Sequence, residues 1–375
     1  MNTRTGLRDV SLPLLLALWL AGPVAFAADE HAQHNHSAGA AVKLDAEGRR
    51  LESYNQRHEM TPEMREELRR KVALYRGFTD RELDMNMNAM GPDYEWYVSD
   101  TKVKGNTGIL VLSHGVGENS DRLVRDAYGP MAKKTPLAIG FGMAMMNSSH
   151  LQSAVDDLRG AGARRIILVD QGTTTRYNSL TRHWQYIFGM YPESSYMDVP
   201  KIKAPGVEFV WAGHFNDSPL ITEMLYDGAR SVSTNPANEV LIIVGHGPEE
   251  AEDNLPDLKI LQAHVDRLNA KKQFADIRLI NLQDDAIVPV RESNVRKLRS
   301  WIQQATKSGR KVIVVPIAAA SYGVQRNIKT DLRGLQYTFA EKGLIENPRF
   351  MQWLDSIIKT AQAAAPAKPA ANQPT

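Results

Sequence analysis

From about position 106 onward, short apolar runs alternate with longer amphipathic stretches. The runs are Gly108–Ser113, Pro136–Ala144, Arg165–Asp170, Val207–Ala212, Glu239–Gly245, Asp276–Leu282 and Lys311–Ile317. Between most of them lie segments of helical length, such as Leu151–Gly160, Ala263–Lys271 and Val295–Thr306. Short, nearly continuous apolar strands separated by helices predict an α/β fold whose parallel sheet is covered on both faces. Ahead of this region a helix is predicted over Thr61–Tyr75, opened by Thr61-Pro62-Glu63 as cap and first turn. The Met-rich segment "DMNMNAMGPDYEWYV" follows, and its Met85, Met87 and Met90 read as packing residues rather than copper ligands.

Two of the strands end the same way. "GILVLSHGVGENSD" stops at Ser113-His114-Gly115, and "VLIIVGHGPEEAED" stops at Gly245-His246-Gly247. Ligands of open parallel sheets gather beyond the carboxyl ends of the strands, where His114, His246 and also His214 ("WAGHFND") fall. A further pair matches: "GAGARRIILVDQG" with "KSGRKVIVVPIAA", each a glycine, a basic pair and an apolar strand. Aligning His114 with His246 offsets the halves by 132 residues, and aligning Arg165 with Lys311 offsets them by 146. A loop insertion in the second half reconciles the two, so the chain reads as a duplication.

Composition refines this picture at the ends. The 375 residues carry a net charge of +2 with no basic run, which gives no sign of a nucleic-acid partner. Arg4 and Arg8 precede an apolar stretch, Val10 to Ala27, that ends in "AFAA". That is the pattern of a secretory signal peptide, residues 1–27, and with cleavage no stable membrane insertion is expected. The chain has no cysteine, so it forms no disulfide despite the predicted export to a periplasm. Residues 28–60 read as a disordered segment containing His31, His34 and His36, an auxiliary metal-capture tract. Residues 61–105 read as a helical extension, 106–235 and 236–360 as two similar domains, and 361–375 as a disordered Ala/Pro tail.

A histidine at a strand end, followed by glycine, suits a base or a metal ligand. The helix after His114 begins Glu118-Asn119-Ser120-Asp121, and acids also follow His246. These carboxylates cap a helix N-terminus or balance a cation. Arg122, Arg125, Arg176 and Arg182 lie on segments that can face a cleft.

In order, "LSHGVGEN", "AIGFGMAMMNSSHLQSAVDDLRGAGARRIILV", "GVEFVWAGHFNDSPLITEML" and "LIIVGHG" resemble the segments of the CbiX-type sirohydrochlorin chelatases, class II tetrapyrrole chelatases. The resemblance runs from Gly108 to Leu354. It implies two similar chelatase-like domains, each a parallel sheet flanked by helices, with a cleft between them. It also implies ATP-independent insertion of Co²⁺, Fe²⁺ or Ni²⁺, as substrate, into a polycarboxylate tetrapyrrole, with no organic cofactor. On that reading His114 and His246 are the catalytic pair, and His114, His246, His214 and Glu118 are the metal ligands. Arg122, Arg176 and Gln325 would meet the tetrapyrrole, and a homo-oligomer is left open.

One departure stands out. The family pattern places a second histidine after the third strand in a Gly-x-His setting. The first half has "VDQGTTTRYNSLTRHW" there, and the second half has Gln325 in "VPIAAASYGVQRNIKTD". Glutamine cannot take a proton at neutral pH, which leaves a non-catalytic metal or tetrapyrrole carrier as the competing reading. An α/β-hydrolase is set aside, because no Gly-x-Ser-x-Gly elbow is present.

Overall fold

A computed structural model describes residues 44–50, 60–90, 92–115 and 117–364. The predicted leader, His31, His34, His36 and residues 365–375 lie outside the described residues. The described part belongs to one compact unit, Val42–Thr375. Among the described residues no helix is long and apolar enough to cross a membrane.

The first sheet contains β1 (Tyr94–Tyr97), β2 (Thr107–Ser113), β3 (Leu137–Phe141), β4 (Arg165–Asp170) and β5 (Glu208–Trp211), in the order β1-β3-β2-β4-β5. The second contains β6 (Glu239–Gly245), β7 (Asp276–Asn281), β8 (Lys311–Ile317) and β9 (Thr338–Phe339), in the order β7-β6-β8-β9. All pairings are parallel except β1 with β3. With β1 left out, the two orders coincide strand for strand. The register agrees too: Thr107 lies opposite Arg165, and Glu239 opposite Lys311. These are the correspondences that the two sequence offsets imply.

Helices α1 (Pro62–Lys71) and α2 (Asp80–Ala89) precede the first sheet. The first half adds α3 (Glu118–Ala132), α4 (Ser149–Gly160), α5 (Ser179–Ile187) and α6 (Pro219–Val232). The second adds α7 (Ala251–Ala270), α8 (Val288–Lys307), α9 (Val324–Asp331) and α10 (Phe350–Ala363). In β2, Ile109 and Val111 enter a core shared with Leu241 and Ile243 of β6. Leu110 and Leu112 fill the opposite face of the first sheet, and Val240, Ile242 and Val244 that of the second. Alternation with both faces buried is why these strands read as unbroken apolar runs. It also joins the halves through one continuous apolar layer.

The structure departs from the sequence expectations in four places. The extension 61–105 is not all helical: "YEWY" forms β1 on the edge of β3, where Tyr94 stacks on Phe141 at 5.0 Å and Trp96 is fully buried. Aromatic residues favour a half-buried strand edge over a helix. Part of the segment expected to be disordered is ordered, because Arg50 pairs with two buried acids, Glu95 at 2.7 Å and Asp157 at 2.5 Å. Met85 does not pack, being 61% exposed, whereas Met87 is buried. Finally, α10 packs on α3, α6, β4 and β5, and Arg165 donates to the Ala361 carbonyl at 3.2 Å. The last described helix therefore completes the core of the first half.

Candidate functional site

Both strand-end histidines are locked in the same way. His114 Nδ1 lies 2.7 Å from the Gly115 carbonyl, and His246 Nδ1 lies 2.8 Å from the Gly247 carbonyl. A carbonyl only accepts, so Nδ1 carries the hydrogen and Nε2 keeps its lone pair. The glycines make this turn possible, with φ of +73° at Gly115 and +76° at Gly247, where other residues are strained.

Beyond Nε2 the surroundings differ. His246 Nε2 lies 3.4 Å from Asp285 Oδ2. Burial works against its charged form, but Asp285 and Asp284, with the Gly247 carbonyl, outweigh it and raise its pKa. Asp284 itself is held by Arg291 at 3.0 Å. Nearby, burial and then Glu250 and Asp285 push the Glu249 carboxyl up to about 8, so it is largely protonated at neutral pH. No acid side chain pairs with His114 among the described residues. It lines a cavity of about 10 Å³ with Asp93, Gly142 and several methionines. Asp93 is 5% exposed, and burial pushes its pKa up to about 7 despite a bond from the Ala144 N–H.

A second, larger cavity of about 800 Å³ opens between the halves. One wall is the start of α3, including Glu118. The other is the loop 321–323 with α9 and the segment beyond β9. Arg326, Lys329, Arg333 and Lys342 line it. Lys329 pairs with Glu341; the other three cations have no carboxylate partner among the described residues. Gln325 lines it too, 2% exposed, donating from Nε2 to the Ala320 carbonyl at 2.8 Å while its Oε1 has no partner. Sequence reading named Gln325 and Glu118 but missed these cations. The signal was there: Arg326 and Lys329 stand three apart on one helix face.

Neither strand-end histidine lines this cleft, nor do His214, Arg122, Arg125, Arg176 or Arg182. Among the described residues no group of three or more His, Cys, Asp or Glu side chains is set to hold a metal, so the four expected ligands are not gathered into one such group. His214 is buried, its Nδ1 3.2 Å from Thr173 Oγ1 and 3.3 Å from Asp170 Oδ2. Asp170 is fully buried and takes its other bonds from Gly172, Thr173 and Thr181, so His214 belongs to an internal polar network. That network neighbours the join between halves, where Thr175 donates to Asp257 at 2.6 Å. Glu118 accepts from Arg122 at 2.7 Å and Arg49 at 3.1 Å; Arg122 chiefly holds its carboxyl below the usual range. Two guanidiniums thus already balance its charge.

Arg122 also pairs with Glu47 and lies over Trp96, as Arg125 does, so neither lines the cleft. Arg176 lies on its neighbour Tyr177, and Arg182 forms a two-pronged pair with Asp253 across the halves, at 3.0 and 2.7 Å. His183 Nε2 donates to the Ala144 carbonyl at 2.7 Å; burial holds its pKa down near 4, which makes it a neutral structural ring.

No protein-family model matches the sequence, and no curated protein matches it. Among solved structures the chain is similar to SirB from Bacillus subtilis with Fe³⁺, at 12% identity and a TM-score of 0.51, over 69% of this chain and 96% of that one. The sirohydrochlorin chelatase SirB from Bacillus subtilis subspecies spizizenii, in complex with cobalt, aligns at 11% identity and a TM-score of 0.49 over the same shares, 69% and 96%. DR2241 from Deinococcus radiodurans, a multi-domain protein with structural similarity to chelatases, aligns at 12% identity and a TM-score of 0.40, over 68% and 55%. The likeness shows the fold: an α/β chelatase fold of parallel sheets flanked by helices.

Proposed function

We propose that this chelatase-fold chain inserts a divalent metal, cobalt, iron or nickel, into a sirohydrochlorin-like tetrapyrrole without ATP. The observation that carries the reading is the twin strand-end histidine, locked through Nδ1 in both halves so that each Nε2 is free to take a proton or a metal. Insertion exchanges two pyrrole N–H protons for one M²⁺. It therefore needs proton acceptors, a way to hold the metal as it sheds water, and anchors for the ring's carboxylates.

His246 is suited to accept a proton, since Asp285 and Asp284 stabilise the imidazolium that forms. His114, with no carboxylate partner, is suited to hold the metal through Nε2. Arg326, Arg333 and Lys342 supply charge for the ring carboxylates in a cavity of about 800 Å³, within the usual size of a small-molecule site. SirB at a TM-score of 0.51 was solved with Fe³⁺, which keeps iron among the metals to test.

Gln325 supports a second reading, a carrier that binds metal or tetrapyrrole without turning it over. Its buried Oε1 lines the cleft where the family pattern has a histidine, and it can accept a hydrogen bond but no proton. The predicted leader makes export to a periplasm part of either reading, with His31, His34 and His36 as a loading arm.

The test is anaerobic incubation of the protein with sirohydrochlorin and Co²⁺, Fe²⁺ or Ni²⁺, followed by the visible spectrum. Insertion well above the spontaneous rate establishes the enzyme. Tight binding at the spontaneous rate establishes the carrier instead.

A further inference from the structure

The cavity beside His114 takes no part in the cleft, and its lining is chemically unusual. Five of the chain's 14 methionines, Met87, Met90, Met143, Met145 and Met146, surround it. They come from two distant segments, the end of α2 and the loop after β3, which meet only in the folded chain. Methionine usually fills gaps, and Met87 and Met145 are buried in the core. Yet three features are not explained by gap filling.

First, the methionines enclose a space of about 10 Å³, about the smallest that holds a single water or ion. Second, Asp93 lines that space with an Oδ2 that is buried and has no hydrogen-bond partner, a costly arrangement for a carboxylate unless something binds it. Third, the backbone is bent to bring these groups together. Gly142 has a φ of +120°, and a Cβ there would lie 1.9 Å from Asp93 Oδ1. Ala144, two residues on, holds a φ of +56°, pinned by bonds to Asp93 and His183. A strained residue kept in place by two partners fits a positioned site.

We infer that Met87, Met90, Met143, Met145, Met146, His114 and Asp93 form a binding site for one soft monovalent cation, Cu(I). Thioether sulfur and imidazole are soft or borderline donors that select Cu(I) over Co²⁺, Ni²⁺ or Mg²⁺. A single carboxylate lines the cavity, which balances one positive charge and not two. Met90, Met143 and Met146 are partly exposed and give the ion a way in. The methionines and Asp93 lie outside the cleft, whose lining does not include His114. His114 alone is claimed by both readings, and Cu(I) would compete with the inserted metal for its Nε2.

The test is Cu(I) transfer from bicinchoninate, a coloured chelator, to the full chain under anaerobic reducing conditions, with copper X-ray absorption on the loaded protein. The comparison is a Met87→Leu, Met90→Leu, Met143→Leu, Met146→Leu variant, in which leucine keeps the volume and the fold is checked by circular dichroism. Wild type is expected to take one Cu(I) with sulfur neighbours. Outer partners of a metal alone change affinity 10- to 100-fold, so removing sulfur ligands should weaken binding by more than about tenfold. His114→Gln should weaken it as well. Equal competition by wild type and the leucine variant, or a copper spectrum with nitrogen neighbours only, overturns the site. The leucine variant keeps both His114 and His246, so cobalt insertion by that variant is read separately and the two readings fail separately.

Discussion

His114 and His246 end equivalent strands with the same Nδ1 lock, but the loops beyond them have diverged. Register makes the comparison direct: Ser113 lies opposite Phe141, and Gly245 opposite Asn281. The residues past Phe141 are Gly-Met-Ala-Met-Met, and those past Asn281 are Leu-Gln-Asp-Asp-Ala. Each loop contains one non-glycine residue in the left-handed region, Ala144 at +56° and Gln283 at +55°. A left-handed turn in each loop thus accompanies methionines near one histidine and aspartates near the other. The backbone lock is common to both halves while the side chains differ, so one imidazole is set among soft donors and the other among acids.

The largest expected effect is on turnover. A His114→Ala, His246→Ala double variant should lose about two to four orders of magnitude in insertion rate, the range of general acid–base catalysis. Stopped-flow visible spectra with Co²⁺ and sirohydrochlorin check it. Next in size is the cleft: Arg326→Ala, Arg333→Ala and Lys342→Ala should each weaken tetrapyrrole binding by about tenfold, as for a lost charge-assisted bond. The weakening should shrink at high salt, and titration at two ionic strengths reads it.

The locks should differ in stability. A Cβ at Gly247 would lie 2.5 Å from Asn281 Cβ, whereas one at Gly115 meets nothing nearer than 3.4 Å. Both alanines incur the left-handed penalty of about 1–2 kcal/mol, and Gly247→Ala should lower the denaturation midpoint further than Gly115→Ala.

The smallest effect is electrostatic. Asp285 is exposed, so Asp285→Asn should lower the His246 titration midpoint by less than about one unit, read by NMR. His246 is raised above its ordinary 6.5, so its contribution to stability is full below that value and fades as pH rises through the raised midpoint. The variant should lose that pH-dependent part.

The strand runs, the paired His-Gly ends and the duplication were legible because each is local: two-residue periodicity, a glycine turn, a repeated string. The edge strand at Tyr94–Tyr97 was not, since its aromatic residues follow a helical segment and only β3 makes them a strand. His214 looked like a ligand at a strand end, but the buried Asp170 it faces comes from a different strand. The methionines of α2 carry a packing signal in sequence, and Met143 to Met146 lie more than fifty residues on. Only tertiary structure puts them around one histidine. Arg326 and Lys329 were readable as one helix face, but not as a wall of a cleft whose other wall is α3.

The twin histidines divide the work on this reading, and single variants separate their roles. Cobalt insertion by wild type, His114→Ala and His246→Ala would be measured across Co²⁺ concentration and pH. His246→Ala is expected to lower kcat at saturating cobalt and to remove its imidazole from the pH profile, while His114→Ala chiefly raises KM for the metal. Identical profiles for the two variants, or both matching wild type, would contradict it.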